Sequence, residues 1–379
     1  MLEQPQCDRD KLEASRKAQM ALIPPVRRIP SELWIEIFLL CLPADEFVGI
    51  NVLEAPLLLG RICSHWREIA LSTTALWSSI SIGDQQLSLR LAQMPLIEAW
   101  LARSGNLPLS IQIIGCVDFA ISGSNDLLDI FIPFSSRWYN LDLWLPQPLV
   151  EKIVCNNDFS MPFLAILSLA ISTVLDDDKP LLFSRKATRL RSITVSVDRM
   201  IPPLLNFPWA QITELRSDSI IDIHDCFDIF RLCPQLTHLQ LRNISQDPFD
   251  GNNRVLARML NLSWLRLFSH GDLGPLLDNL IVPSLHEIHL EVNFDTIWPK
   301  SQLIALASRS SSPFEIFTFW NTSRQANIME ADIVECFESI QTLRDMYVGN
   351  WTTAKLYRRR VARGNSESGG EVYEQVSVS

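Results

Sequence analysis

Glycine is scarce in this chain, with 13 residues of 379. That leaves little room for glycine-rich loops whose backbone amides close around a phosphate. Histidine is scarcer, with 6. The spacings that hydrolases and metalloenzymes need are missing: no H-E-x-x-H, no G-x-S-x-G, no Walker loop and no C-x-x-C. Positive charge is also short. Lys and Arg total 33 against 43 Asp and Glu, a net charge of −10, which argues against non-specific binding to a phosphate backbone. The longest apolar run, Leu33 to Leu42, is about half a membrane span and contains Glu36. No transmembrane segment is expected. The N-terminus carries Asp8, Arg9, Asp10 and Lys11 with no apolar stretch, so no signal peptide is expected.

Apolar residues are abundant, at 47%, which excludes wholesale disorder, while the net charge favours a soluble protein of the cytoplasm or nucleus. The eight cysteines, from Cys7 to Cys336, show no paired spacing and read as reduced, buried thiols. The N-x-[ST] sequons at Asn243, Asn261, Asn321 and Asn350 are accidental without secretion. The nearest metal-like set is Cys226, Cys233 and His238, but burial on one helical stripe explains the cysteines, and His238 lies between strand positions. Cys63 and His65 are two apart on a helix and face different ways. No catalytic residue, metal or cofactor is expected.

Residues 29–42 read IPSELWIEIFLLCL. Pro30 suits a first helical turn, where its missing N–H is no loss, and Ser31 can help satisfy the free amides. Leu33, Ile37 and Leu40 make one helical stripe; Trp34, Phe38 and Cys41 make a second. One stripe can pack inside a small module, but the other requires a partner. Pro43 closes the helix. Further on, Ile62, Trp66, Ile69 and Ala70 share a face, with His65 and Arg67 on the polar side. Ser72 and two threonines end that helix, after which Trp77, Ile80 and Ile82 take strand spacing.

These residues carry a family resemblance. Ile29-Pro30, Glu32-Leu33, Ile37-Phe38, Ile62-Cys63, Trp66-Arg67, Ile69-Ala70 and Leu76-Trp77 resemble the F-box, a three-helix module that binds the Skp-family adaptor of SCF-type ubiquitin ligases. The loop-like stretch Ala44–Pro56 departs from the pattern where it leads into the middle helix, about Leu57–Cys63. The resemblance implies that Ile29, Pro30, Leu33, Trp34, Ile37, Phe38, Cys41, Ile62 and Trp66 meet the adaptor.

Beyond residue 82 a short pattern recurs: φ-x-x-φ-x-φ, where φ is apolar. It starts at Trp138, Leu164, Leu190, Ile212, Leu236, Leu262, Leu285, Phe314 and Leu343, with gaps of 26, 26, 22, 24, 26, 23, 29 and 29 residues. The spacing matches leucine-rich repeats. Only the copy at Ile212 fails, with Ser217 in the last place. Between the strands, Cys226, Ile229, Phe230 and Cys233 form one buried helical stripe. Leu276, Leu277, Leu280 and Ile281 form another, stopped by Pro283. No single unit can bury its own apolar face, so stacking is forced. The eighth residue after each start is Asn only at Asn293, which predicts a largely missing Asn ladder and uneven curvature. Outward positions follow as Asp142, Ser168, Thr194, Arg216, Gln240, Arg266, His289, Thr318 and Tyr347. Their mixed charge points to a protein partner.

WLARSGNLPLSIQI (100–113), FSSRWYNLDLWLP (134–146), FPWAQITELRS (207–217) and LCPQLTHLQL (232–241) are similar to phrases of the expanded F-box family of mushroom-forming (basidiomycete) fungi. The expected fold class is therefore α/β: an N-terminal three-helix F-box, then an irregular leucine-rich-repeat solenoid with one parallel sheet. Its expected parts are a polar helix or extension (1–25), an F-box (26–75), a repeat region (76–354) and a disordered tail (355–379). The tail's KLYRRRVAR reads as a nuclear address or a solvated helix end. The expected role is non-catalytic: a substrate-recognition adaptor of an SCF-type ligase that binds the Skp-family adaptor and, through it, a cullin–RING ligase. Thr194, Arg216, Gln240, Arg266 and His289 are the expected contacts to an unidentified protein target, with no nucleic acid and no membrane as partner. The alternative is an interaction protein outside any ligase, or a decayed family member, that binds the Skp adaptor without delivering a target.

Overall fold

The structure, a computed structural model, describes residues 29–83, 90–115, 124–154, 160–171, 187–245, 256–293, 298–321, 329–350, 353–360 and 372–377. The expected N-terminal extension, 1–25, lies outside the described residues. The chain divides into two compact units, 1–82 with 89–110 and 83–88 with 111–379.

In the first unit, helix α1 (Ser31–Leu40) opens on Pro30, whose ψ of 150° makes it the cap residue. Its carbonyl accepts from Trp34 N at 3.2 Å. Pro30 thus stands one place before the helical turn expected of it. Helices α2 (Leu59–Ile62) and α3 (Ser64–Ser72) are parted by Cys63, extended at φ −156°, whose sulfur accepts from Trp66 N at 3.5 Å. That break corrects the expected stripe: Ile62 turns out to solvent, while Ile69 and Ala70 are buried. Thr73 ends α3 by donating its hydroxyl to Ile69 O at 2.7 Å. A 3₁₀ turn (Thr74–Trp77) and strand β1 (Ser79–Ile82) follow, with Ile80 and Ile82 buried.

Packing carries this unit past the boundary expected at 75/76. Helix α4 (Arg90–Arg103) sets Trp100 edge-on against Trp77 at 4.9 Å. The Trp100 indole donates to Ser79 O at 3.1 Å, and the Arg103 guanidinium lies 4.7 Å over the Trp77 ring. Gly105 turns the chain out of α4 at φ +59°, where a Cβ would stand 3.1 Å from the Thr74 methyl.

Strand β2 (Leu109–Ile114) contains the division between the units. The second unit is mixed α/β with a large, mostly parallel sheet. Its strands run in chain order through β3 (Trp138–Leu145), β4 (Ile166–Ile171), β5 (Ser192–Ser196), β6 (Glu214–Ser217) and β7 (His238–Ile244). After a short β8 (Ala257–Arg258) come β9 (Trp264–Ser269), a short β10 (Leu280–Ile281), β11 (Glu287–Val292), β12 (Ile316–Asn321) and β13 (Asp345–Asn350). β8 and β10 pair with each other; every other neighbouring pair from β3 to β13 is parallel. One register row joins Leu141, Leu167, Ile193, Leu215, Leu239, Leu265, Ile288, Phe317 and Met346, all buried. These are the strand centres that the sequence spacing predicts. Ser217, the failing place in the pattern, is buried as well, and its hydroxyl accepts from Ser219 N at 3.2 Å.

The returns between strands include α5 (Ser124–Phe131), α6 (Gln147–Val154), α7 (Pro202–Leu205), α8 (Ile223–Leu232), α9 (Gly274–Asp278), α10 (Lys300–Ser310) and α11 (Glu330–Ser339). In and just beyond α8, Cys226, Ile229, Phe230 and Cys233 are buried as one stripe. The stripe expected over Leu276–Ile281 is cut short. α9 stops at Asp278, and Leu280 and Ile281 pair with Ala257 and Arg258 instead.

The Asn ladder is largely missing among the described residues, as expected, and the expectation for the tail needs correcting. The built part of the ladder is short: Asn243 donates to Asp218 O at 2.7 Å, His270 lies 3.4 Å from Asn243 Oδ1, and Asn293 lies 3.5 Å from His270. A bulge between Leu241 and Ile244 places Asn243 there, with φ at 64°, one residue before the position that the spacing marks. The tail expected to be disordered, 355–379, takes in most of β14 (Thr353–Arg360), antiparallel to β13, and β15 (Val372–Ser377), antiparallel to β14. Leu356 and Tyr357 are buried there, which gives β14 an apolar anchor amid its basic residues. Among the described residues, no helix is long and apolar enough to cross a membrane.

Candidate protein-interaction surfaces

The first surface is on α1. The Trp34 and Phe38 rings meet at 5.7 Å, and both pack on Trp66, at 4.7 and 5.1 Å. Trp34 and Phe38 are buried, which removes both from the set expected to face a partner. The other stripe is open: Leu33 is 55% exposed, Ile37 38% and Leu40 85%. Leu40 completes the surface. Pro30, Cys41 and Ile62 are exposed, while Ile29 and Trp66 are half-buried. Cys41, still in helical conformation as the cap residue of α1, is exposed at the end of the Trp34–Phe38 stripe. Val52 and Leu53 are exposed as well. They lie in a loop, where no periodicity marks them. Arg61 donates to Val52 O at 3.2 Å and Arg67 to Gly60 O at 2.7 Å, fixing the segment that carries them.

The second surface is the outward side of the parallel sheet. Thr194, Arg216, Gln240, Arg266 and His289 are successive register partners across β5, β6, β7, β9 and β11. None of the five is buried, and Arg216 is exposed. The row is less open toward its ends. Thr318, flanked in register by the larger His289 and Tyr347, is buried, a correction to the outward set. Asp142 accepts from Gln112 at 2.8 Å, yet burial raises its carboxyl above the ordinary value.

Two positions earlier, on the same face, comes half-exposed Trp264, with the His238 ring at 6.2 Å and the His289 ring at 5.5 Å. The acids of this face are engaged. Glu287 meets His289 at 2.6 Å, and Glu291 meets Arg266 at 3.5 Å. Asp218 meets Arg242 at 3.5 Å, and Glu214 accepts from the Ser192 hydroxyl at 3.2 Å. Trp264, Arg242 and Phe268 belong to this face but not to the expected set. The two-residue side-chain period of a strand was the signal that marks them.

The metal-like trio does not converge. Cys226 and Cys233 are buried, and His238 is exposed on β7. Burial pushes the Cys233 and Cys336 thiols up to about 12, and Cys226 higher still, away from the thiolate that binds metal or attacks. Among the described residues, no group of three His, Cys, Asp or Glu side chains could hold a metal ion. No family model matches the chain, and no curated protein matches it.

Proposed function

We propose that this chain is the substrate-recognition adaptor of an SCF-type ubiquitin ligase, with an F-box in residues 26–75 and a leucine-rich-repeat-like solenoid after it. The observation that carries the reading is the split of α1 into Trp34 and Phe38 inside and Leu33, Ile37 and Leu40 outside. Fully burying one large aliphatic side chain is worth about 1.5–3 kcal/mol. Three of them on one helix stripe form a surface whose burial is left to a partner. The F-box resemblance of the same segment names that partner as the Skp-family adaptor.

The chain's part in the reaction is proximity. One surface holds the adaptor and, through it, a cullin; the outward face of the sheet holds a target. Target lysines are then concentrated near a ubiquitin thioester carried by other subunits. The test is affinity purification of the full chain with neddylation blocked. Recovery of a Skp-family adaptor and a cullin supports the reading. Recovery of the adaptor without a cullin supports a role outside the ligase, and recovery of neither overturns both.

A further inference from the structure

We infer that the outward face of the parallel sheet takes a peptide segment carrying an unmodified carboxylate side chain a few residues from a large apolar one. The inference rests on the target-capturing half of the proposed function and is independent of adaptor binding.

Thr194, Arg216 and Gln240 stand side by side on β5, β6 and β7. Among the described residues, none of the three side chains has a hydrogen-bond or ion-pair partner. Together they offer a hydroxyl, a guanidinium and an amide, in a row about 10 Å long at ordinary strand spacing. The face's acids are each engaged by a donor: Glu214 by Ser192, Asp218 by Arg242, Glu287 by His289 and Glu291 by Arg266. The unmet hydrogen-bonding capacity of the Thr194–Arg216–Gln240 row is therefore that of donors, and its one unpaired charge is the Arg216 guanidinium. A carboxylate meets a guanidinium in paired hydrogen bonds and leaves an oxygen for a neighbouring donor. Beside the row, the half-exposed Trp264 ring between His238 and His289 offers a flat apolar anchor of the kind that dominates protein interfaces.

The spacing follows from the lattice of the sheet. Arg216 and Trp264 are two strands apart and offset by two residues, a separation of roughly 12 Å. An extended peptide advances about 3.3 Å per residue. The carboxylate and the apolar side chain should therefore be three or four residues apart.

The test is fluorescence anisotropy on the full chain with three pools of short labelled peptides. Each pool places Phe four residues after Glu, Lys or phosphoserine in an otherwise mixed Ala, Ser and Gln background. The Glu pool should bind, and added NaCl should weaken it. Arg216→Glu should weaken it by about tenfold or more, the loss expected for one charge-assisted hydrogen bond, while Arg216→Lys retains part of the affinity. Because Arg216 is exposed, the thermal melts of both variants should match wild type. Equal or tighter binding of the Lys pool, binding of the phosphoserine pool alone, or indifference to Arg216→Glu overturns the inference. Adaptor capture, measured on the same preparations, separates the two claims. Its loss with peptide binding intact refutes only the ligase reading, and its retention without peptide binding refutes only this one.

Discussion

Leu33 and Trp34 are adjacent in sequence, but one is 55% exposed and the other is in the core. Composition cannot make that distinction, since both are apolar and both lie on helical stripes. It follows from what each stripe meets: Trp66, offered by α3, closes an aromatic cluster over Trp34 and Phe38. Substitution should separate the two. Phe38→Ala removes a side chain with no exposure and should lower stability by about 3–5 kcal/mol, read as a fall in the urea midpoint. Ile37→Asp should leave that midpoint nearly unchanged and act on partner capture alone. The cysteines divide in the same way. Cys226, Cys233 and Cys336 are buried, whereas Cys41 and Cys63 are exposed. Peptide mapping after brief iodoacetamide treatment near neutral pH should find label on Cys41 and Cys63, and on the buried three only after unfolding. The thiols of Cys233 and Cys336 shift from an ordinary 9.0 to about 12 on burial. The unfolded chain therefore ionises first as pH rises. Their contribution to stability is intact below pH 9 and is lost as pH climbs toward 12.

At the scale of elements, the strands were legible because a fixed apolar spacing forces both phase and direction. Parallel neighbours separated by more than twenty residues need a return segment. A strand's two-residue period then puts Leu215 inside and Arg216 outside without reference to anything else. The returns were harder to read. Leu276, Leu277, Leu280 and Ile281 satisfy a helical period, yet pairing with β8 takes the last two; a non-local hydrogen bond leaves no mark in local spacing. Asn243 escaped for a related reason, since its place in the ladder depends on a bulge. That place is testable. Asn243 sits at φ 64° and donates to Asp218 O at 2.7 Å. Asn243→Gly keeps the backbone conformation and loses the side-chain contacts to Asp218 O and His270, of which a hydrogen bond is worth about 0.5–1.5 kcal/mol. Asn243→Ala should cost about 1–2 kcal/mol more, because it adds left-handed strain. Equal urea midpoints for the two variants would refute this account of the bulge.

For the whole molecule, the proposal assigns different work to two surfaces, so damage to one should spare the other. The helix stripe and the sheet face also differ in how the sequence reveals them. Stripe and resemblance coincide in residues 29–42, whereas the sheet face is fixed by geometry alone and carries no motif that names a target. The stripe's role is read by quantitative affinity purification of the full chain, wild type against Pro30→Ala with Ile37→Asp. Pro30 and Ile37 are both exposed, so the double variant should keep its thermal melt and its binding of the Glu peptide pool. The Skp-family adaptor and the cullin should disappear together from the variant's purification. Undiminished recovery of both on the folded double variant would contradict that role.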